Sequence, residues 1–358
     1  MQGTLSSFLS RWRSFPLRKT ASLPLFALAL AGCSTVSLDT PYSGSGNSND
    51  SRQVHALRQL TAQQDRLYQV SAPLLLNNTD LCRSNVRKLI GFTAKTRYSY
   101  SDEFADAAST LGLQERLQVT GVLKHSGAAQ AGVQRGDILM AVENQPLPQG
   151  RDAERQAAIM LGPIVSSLSS VRLGILRNGT AADLSVPLTS ACGFGIELGN
   201  VDSVSAYADG RRVLITRGML NFVRNDTELA YVLAREMAHN ALGHAARQRV
   251  NATIGAIIDN MSQVHPDISM LSGSGGVLPF PQDLDAAADT IALYMAARAG
   301  YNVDGAAAFW QRLAAQYPAS VTNSYTALHP ATSARLIAIR KAAADIKAKQ
   351  ASRQPLLP

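Results

Sequence analysis

Residues 225–240 read NDTELAYVLAREMAHN, and they decide how the second half of the chain is interpreted. Asn225 and Glu228 have the spacing of a capping box, in which an N-cap side chain and an acid three residues later close the start of a helix. The apolar residues of the helix that follows share one face, and they are Leu229, Val232 and Leu233. Glu236 continues this face. Because burying a carboxylate without a partner costs roughly several kcal/mol, Glu236 is predicted to have a specific role.

Residues 235–239, Arg-Glu-Met-Ala-His, differ at one position from the zinc-peptidase pattern His-Glu-x-x-His. In that pattern two histidines one helical turn apart bind zinc, and the glutamate between them polarises the attacking water. Residues 203–344 resemble the gluzincin metallopeptidases of the CAAX prenyl protease type. The segments that carry the resemblance, besides 235–239, are 206–220, 228–230, 285–289, 296–301 and the His329-Pro330 pair followed by Arg335.

The resemblance implies a role for each residue of the site. Glu236 would be the catalytic base, and His239 and Asp285 would bind zinc, with Asp285 standing where the family has glutamate. Asp289 would orient the ligands without binding the metal itself. Arg235 occupies the position of the first histidine, and a guanidinium has no free lone pair and does not deprotonate, so it cannot bind zinc.

Two interpretations of this site stay open. In the first, His329 is the third ligand beside His239 and Asp285, zinc is bound, and the protein is a metalloendopeptidase acting on envelope proteins. In the second, Arg235 replaces the metal as the central cation and joins two helices, so that the domain keeps its cleft but loses hydrolysis. The carboxylates available to Arg235 are those of Glu236, Asp285 and Asp289. The chemistry of arginine favours the second.

His244 is the nearest other histidine in the sequence. It follows His239 by five residues, which is about 140° around an ideal helix, so it is predicted to point away from the site.

Residues 121–139 read GVLKHSGAAQAGVQRGDIL and resemble the core of bacterial PDZ domains. A helix near 152–168 and strands at 171–176 and 184–188 would complete the module. PDZ domains bind extended peptides by adding a strand to a sheet edge, so the implied partners are polypeptide substrates or C-terminal peptides. Two glycine segments are candidates for the carboxylate-binding loop, Ile90-Gly91-Phe92 and Cys192-Gly193-Phe194-Gly195, and a purely structural insert is the alternative.

The first 33 residues have the layout of an export signal. Four basic residues precede an apolar run at 21–30 that is too short to span a bilayer. Leu30-Ala31-Gly32-Cys33 resembles a bacterial lipobox, which implies cleavage before Cys33, lipidation of that cysteine and contact with the membrane through the lipid. Ser34, rather than aspartate, follows the cysteine and favours a periplasmic protein on the outer membrane. An ordinary signal peptide that contains a cysteine is the alternative.

Charge and cysteine content restrict the function further. The formal net charge is +8, and removal of the signal leaves about +4, which is too mild to indicate a nucleic-acid surface. Cys82 and Cys192 remain, and an oxidising periplasm would allow them to pair, with two buried thiols as the alternative.

The fold class predicted from these segments is α+β, a mostly helical gluzincin-like metallopeptidase domain preceded by a β-rich PDZ-like domain. The predicted ranges are a signal peptide at 1–32, a flexible tether at 33–52, a helical segment at 53–86, the PDZ-like domain at 87–190, the metallopeptidase-like domain at 191–350 and a tail at 351–358.

Overall fold

The computed structural model describes residues 45–244, 282–317 and 333–358. Cys33 and His329 lie outside these residues, as do the signal peptide and most of the predicted tether. The described helices are α1 (Ser45–Leu76), α2 (Thr79–Cys82), α3 (Ala105–Thr110), α4 (Gly127–Gln130), α5 (Ala153–Ser167), α6 (Arg217–Phe222), α7 (Asp226–Ala241), α8 (Gln282–Arg298), α9 (Ala306–Gln316) and α10 (Ser333–Ala351).

The described strands form three sheets. They are β1 (Val86–Leu89), β2 (Phe92–Lys95), β3 (Gln118–Val122), β4 (Ile138–Val142), β5 (Gln145–Pro146), β6 (Ser170–Arg177), β7 (Thr180–Pro187), β8 (Thr189–Cys192), β9 (Gly195–Gly199), β10 (Ala206–Ala208) and β11 (Arg212–Thr216). The largest sheet has the order β2-β3-β4-β6-β7, with β5 paired to β4, and the smaller ones are β1-β8 and β10-β11-β9.

The six-stranded sheet builds the region predicted to be PDZ-like. Its strands are antiparallel, and β2 forms one edge. The β6–β7 hairpin turns at Asn178 and Gly179, which both have positive φ angles, 50° and 78°, as a two-residue type I′ turn requires. The core of this region is apolar and includes Leu139, Val142, Val171, Leu173, Ile175, Val186 and, from α5, Ala157. Burial of these side chains on one sheet face closes α5 against the strands.

A second core brings α1, α7, α8, α9 and α10 together with the β10-β11-β9 sheet. Its helices are rich in alanine, so their backbones approach closely and the polar side chains between them become buried. Both cores lie within one compact unit, Ser45–Pro358. None of the described helices is long and apolar enough to cross a membrane.

The N-terminal boundaries differ from the prediction. Helix α1 begins at Ser45, inside the range predicted as tether, and the predicted helical segment ends in strand β1. The helix extends to Leu76 because Leu67, Val70 and Leu74 are buried in the second core.

A disulfide joins Cys82 at the end of α2 to Cys192 at the end of β8, with Cα atoms 5.6 Å apart. Val86 pairs with Cys192 in the β1–β8 ribbon, so both ends of the β-rich region are held at one place. The bridge closes a loop of 110 residues.

We expect Cys82→Ala to lower the free energy of unfolding by about 2–5 kcal/mol, because the unfolded chain regains loop entropy. Urea denaturation tests this. A reductant should destabilise the wild type equally and leave the variant unchanged, and an effect of reductant on both proteins would contradict the assignment.

Candidate functional site

Helix α7 is fixed at its start by Asn225 and Glu228. The Asn225 side chain accepts the Glu228 backbone N–H at 3.0 Å, as a capping box predicts. In a capping box the Glu228 carboxylate would accept the backbone N–H of Asn225, but here it accepts that of Arg224, at 2.7 Å. Both carboxylate oxygens also accept hydrogen bonds from Arg312 of α9, at 2.7 Å each. The start of α7 is therefore joined to α9 as well as capped.

The end of α7 is fixed by Asn240. Its Oδ1 accepts the Gly210 backbone N–H at 2.5 Å, and its Nδ2 donates to the Arg212 carbonyl at 2.9 Å. These bonds hold the last turn of the helix against the β10–β11 hairpin. The residues one turn earlier are thereby positioned at the face of α8.

Arg235 lies at the centre of the site. Its side chain is fully buried, and so are those of Glu236 and Asp285. Its Nη1 donates to Glu236 Oε1 at 2.6 Å and its Nη2 donates to Asp285 Oδ1. Its Nε lies 3.6 Å from Asp289 Oδ1. One guanidinium thus contacts an acid on its own helix and two acids on α8, as the second interpretation of the sequence predicts.

A second buried guanidinium lies behind the first. Arg335 of α10 donates from Nε and Nη2 to the two oxygens of Asp289, at 2.6 and 2.8 Å. The Trp310 ring of α9 contacts both cations, with its centroid 5.6 Å from Cζ of Arg235 and 5.1 Å from Cζ of Arg335. Such cation–π contacts are favourable by about 2 kcal/mol when desolvated. Four helices therefore meet at one cluster of charges.

The sequence interpretation named Arg335 only as part of the resemblance and did not include Trp310. A signal for Arg335 was present, because it precedes Ile339, Ala342 and Ile346 at helical spacing, and all four side chains are buried on one face of α10. This is the same pattern, a charge continuing an apolar face, that indicated Glu236.

The cluster contains two guanidiniums and three carboxylates, so one carboxylate lacks a matching cation. Burial raises the pKa of Glu236 to about 7, against the opposing charge of Arg235. Burial also acts to raise the pKa of Asp285, but the charge of Arg235 and a hydrogen bond from His239 bring it to about 2. Burial acts to lower the pKa of Arg235, and the nearby carboxylates raise it above its ordinary value. Glu236 therefore takes up a proton at a higher pH than Asp285 does.

This assignment predicts a pH dependence. The pKa of Glu236 is about 7 in the folded state and 4.5 in the unfolded state, so its contribution to stability is present below pH 4.5 and is lost as the pH rises toward 7. Glu236→Gln removes that loss. The difference in unfolding free energy, variant minus wild type, is therefore expected to increase with pH between about 4.5 and 7 in urea titrations.

Glu228→Gln is the matched control. Although burial acts to raise the pKa of Glu228, its hydrogen bonds to Arg312 and to the backbone lower it below the ordinary value. The corresponding difference for this variant should decrease as pH rises through the range below 4.5, the opposite sign. A flat or decreasing difference for Glu236→Gln would contradict the assignment of the proton.

His239 and His244 form a buried pair, and the prediction that His244 points away is wrong. Their Nδ1 atoms are 2.9 Å apart, so one ring donates to the other and the accepting ring is neutral. Burial, followed by the charge of Arg235, lowers the pKa of His239 to about 3. The ideal-helix argument failed because α7 ends at Ala241 and Gly243, with φ 69°, turns the chain back.

The zinc ion that the sequence resemblance implies does not fit the described side chains of the site, which do not include His329. Asp285 Oδ1 and Glu236 Oε1, which face the centre of the site, are hydrogen-bonded to Arg235. His239 Nε2 lies 3.4 Å from Asp285 Oδ1, which leaves two of the predicted ligands adjacent. In the parts of the chain that the structure describes, no three side chains of His, Cys, Asp or Glu are grouped to hold a metal. A guanidinium, not a metal, suits this arrangement of acceptors.

A groove lies in the six-stranded region, between β2 and α5.

 Its volume is about 620 Å³, and most of the side chains that line it are apolar. Among the described strands, β2 pairs only with β3, so its other edge faces this groove. The groove therefore offers a sheet edge and an apolar surface at the same place.

The structure distinguishes the two candidate loops beside this groove. The carbonyls of Ile90 and Gly91 accept the N–H groups of Ala128 and Leu123, at 3.2 and 2.9 Å, whereas their own N–H groups donate to no backbone carbonyl of the described residues. Gly91 has φ 97°, and a Cβ there would lie 2.3 Å from the Cβ of Ser126, so glycine is required. The Cys192 loop differs, because the N–H of Gly193 donates to Asn85 at 2.7 Å. Ile90-Gly91-Phe92 is the loop with donors available to an anion.

Comparisons with known proteins gave a family match, two related proteins and similar solved structures. Residues 180–343 match the family model described as Peptidase family M48. The chain is 29% identical over 171 residues to the beta-barrel assembly-enhancing protease of Yersinia pestis, covering 43% of this chain and 35% of that protein. It is 26% identical over 133 residues to the mitochondrial metalloendopeptidase OMA1 of Schizosaccharomyces pombe, covering 36% of this chain and 40% of that protein. The chain thus spans less than half the length of either relative. These matches support a relationship of the C-terminal region to the zinc metallopeptidases of family M48.

Two solved structures are similar to part of the chain. The HtrA3 PDZ domain bound to a phage-derived ligand has a TM-score of 0.23 and 19% identity, covering 29% of this chain and 88% of that chain. The HtrA-type protease AlgW with a decapeptide has a TM-score of 0.22 and 24% identity, covering 29% of this chain and 30% of that chain.

Proposed function

We propose that the M48-type region of this protein is a non-hydrolytic relative of the zinc peptidases, in which Arg235 is the central cation in place of the metal. The observation that carries this proposal is the fully buried guanidinium that contacts Glu236 and Asp285 across α7 and α8. A catalytic zinc site needs three protein ligands and an open position for water. Arg235 supplies no ligand and occupies two of the acceptors that such a site would use.

The proposed loss of hydrolysis also follows from the state of Glu236. A general base must be ionised and within reach of the water that it deprotonates. Here Glu236 is fully buried, and its Oε1 accepts a hydrogen bond from Arg235. This oxygen is therefore bound by a structural partner.

An active zinc metalloendopeptidase is the second candidate. The contact between His239 and Asp285, at 3.4 Å, favours it because two family ligand positions remain adjacent. Zinc binding would require Arg235 to leave the site and His329 to become the third ligand. The energetic cost of exposing or unpairing a buried guanidinium makes this the weaker candidate.

Elemental analysis of the full chain, purified in detergent and dialysed against zinc-containing and then zinc-free buffer, separates the two candidates. We expect substoichiometric zinc and no peptide hydrolysis, with no change in either quantity on His239→Ala. One zinc per chain, lost together with peptidase activity in His239→Ala, would overturn the proposal.

We further propose that the β-rich region captures polypeptide C-termini in the groove between β2 and α5. The free N–H groups of Ile90 and Gly91 would receive the terminal carboxylate, and the β2 edge would pair with the peptide backbone. With hydrolysis lost, the protein would act as a peptide-binding adaptor in the periplasm. The narrower relationship to CAAX prenyl proteases remains a proposal from the sequence.

Lipidation of Cys33 would hold this adaptor at the membrane, and the support for it is the lipobox resemblance. In cells fed radioactive palmitate, the wild type is expected to be labelled and to fractionate with the outer membrane. Cys33→Ala should lose the label and leave the membrane fraction. Ser34→Asp is the control, because it should keep the label but move the protein to the inner membrane. Labelling of Cys33→Ala would contradict the anchor.

A further inference from the structure

We infer that the groove beside β2 has two apolar walls, so that it selects C-terminal peptides with apolar side chains at adjacent positions. This inference rests on the proposed capture of peptides by the groove. The first wall is α5, which contributes Ala157, Ala158, Leu161 and Val165. The second wall comes from α1 and from the segment around β9, and it consists of Tyr68, Ser71, Leu75, Phe194 and Ile196. Residues of β2 line the same groove as both walls.

Strand geometry makes both walls relevant to one ligand. Successive side chains of a strand point to opposite faces, so a peptide paired with β2 would direct alternate side chains to α5 and the remaining ones to α1 and β9. A groove with one apolar wall would contact every second side chain of the peptide and leave the others in water. Here both alternating sets of peptide side chains would contact apolar residues.

The two ends of the groove define the direction and length of the ligand. At the loop end, Arg87 and Lys88 hydrogen-bond to backbone carbonyls, and neither has a carboxylate within ion-pair distance among the described residues. This charge and the free N–H groups of the loop complement a terminal carboxylate. At the other end, Lys95 of β2 and Glu154 of α5 form an ion pair at 2.8 Å that bridges the groove. The four residues of β2, Phe92 to Lys95, span about 13 Å, which accommodates roughly four ligand residues.

The second wall is held rigidly against the β-rich region. Gln69 of α1 donates to the Val122 carbonyl of β3 at 3.4 Å, and Asp65 pairs with Arg135. On its other side, α1 buries Leu67 in the second core. A wall that is already in position costs little entropy when a ligand binds, so its apolar contacts count toward affinity.

Fluorescence anisotropy with labelled hexapeptides and the full chain in detergent tests the inference. The reference peptide has valine at its last four positions and a free carboxylate. In two variants, serine replaces valine either at the last and third-last positions or at the second-last and fourth-last positions. The protein forms are the wild type, Leu75→Ala for the second wall and Leu161→Ala for the α5 wall, with thermal melts to verify folding. Ile196→Ala replaces Leu75→Ala if the latter does not fold.

We expect each serine peptide to bind the wild type at least roughly tenfold more weakly than the reference, because buried valines are replaced. Leu75→Ala should reduce the penalty for one serine peptide only, and Leu161→Ala the penalty for the other. If one of the two serine peptides binds the wild type as tightly as the reference, the second wall is excluded while peptide capture stands. If the reference binds no better than its C-terminal amide, or not at all, the proposed capture of C-termini fails, and the inference fails with it.

Discussion

Arg235→Met is expected to lower the free energy of unfolding by about 3–5 kcal/mol, one of the two largest effects that we predict. Methionine fills a similar volume but leaves Glu236, Asp285 and Asp289 buried with one cation fewer. Uncompensated carboxylates in a low-dielectric interior either stay ionised at a high cost or take up protons. The deficit of the variant should therefore shrink as the pH falls. Urea denaturation at neutral and acidic pH measures both effects.

Arg217→Met is the matched control for this loss. Arg217 pairs with Asp202 at 2.8 Å, but the two side chains are 36% and 79% exposed, so water already screens the pair. A change of about 0–1 kcal/mol is expected there. Equal losses in the two variants would show that the buried cluster contributes no more than a surface pair, and the central role assigned to Arg235 would be wrong.

Arg235→His is expected to convert the site into one that binds zinc, the second large effect. The substitution restores the pattern His-Glu-x-x-His at residues 235–239 and frees the Asp285 carboxylate, which together with His239 gives three ligands. Because zinc sites with three or more such ligands bind tightly, the zinc content is expected to rise from substoichiometric in the wild type to one zinc per chain in the variant. Zinc content after dialysis and a thermal shift on zinc addition measure it. A gain of peptide hydrolysis is expected to accompany the metal.

Two further variants control this conversion. Arg235→Lys keeps a cation and should bind no zinc, because a lysine paired with carboxylates stays protonated. Adding His239→Ala to Arg235→His should abolish the gained zinc binding. If Arg235→His folds and remains metal-free, the site has diverged beyond the central residue, and the idea of a simple exchange of metal for guanidinium fails.

The two substitutions also separate stability from chemistry. Arg235→Met tests whether the cation is needed to hold α7 and α8 together, and Arg235→His tests whether a metal can take over that task. In Arg235→His, zinc should restore part of the stability that the loss of the guanidinium removes, since a ligand bound only by the folded state stabilises it. Restoration by zinc would link the two roles directly.

Several parts of the site were predictable from residue patterns. The burial of Glu236 follows from helical periodicity, and the inability of Arg235 to bind a metal follows from the chemistry of guanidinium. The strands of the β-rich region follow from short β-branched runs and glycine turns, and the β6–β7 hairpin at Asn178-Gly179 is an example. Such features depend on neighbours within a few residues.

The amino-acid sequence by itself therefore determined the helix around residues 225–240, the inability of Arg235 to bind a metal and the segments that form the two regions. Folding in three dimensions decided the rest. Because α7 ends at Ala241, His244 can contact His239. Arg335 of α10 binds Asp289, which lies 46 residues earlier in the chain. Helix α1 lines the groove beside β2. These contacts join residues far apart in sequence, and no local pattern records them, because they depend on how whole elements pack to bury their apolar faces.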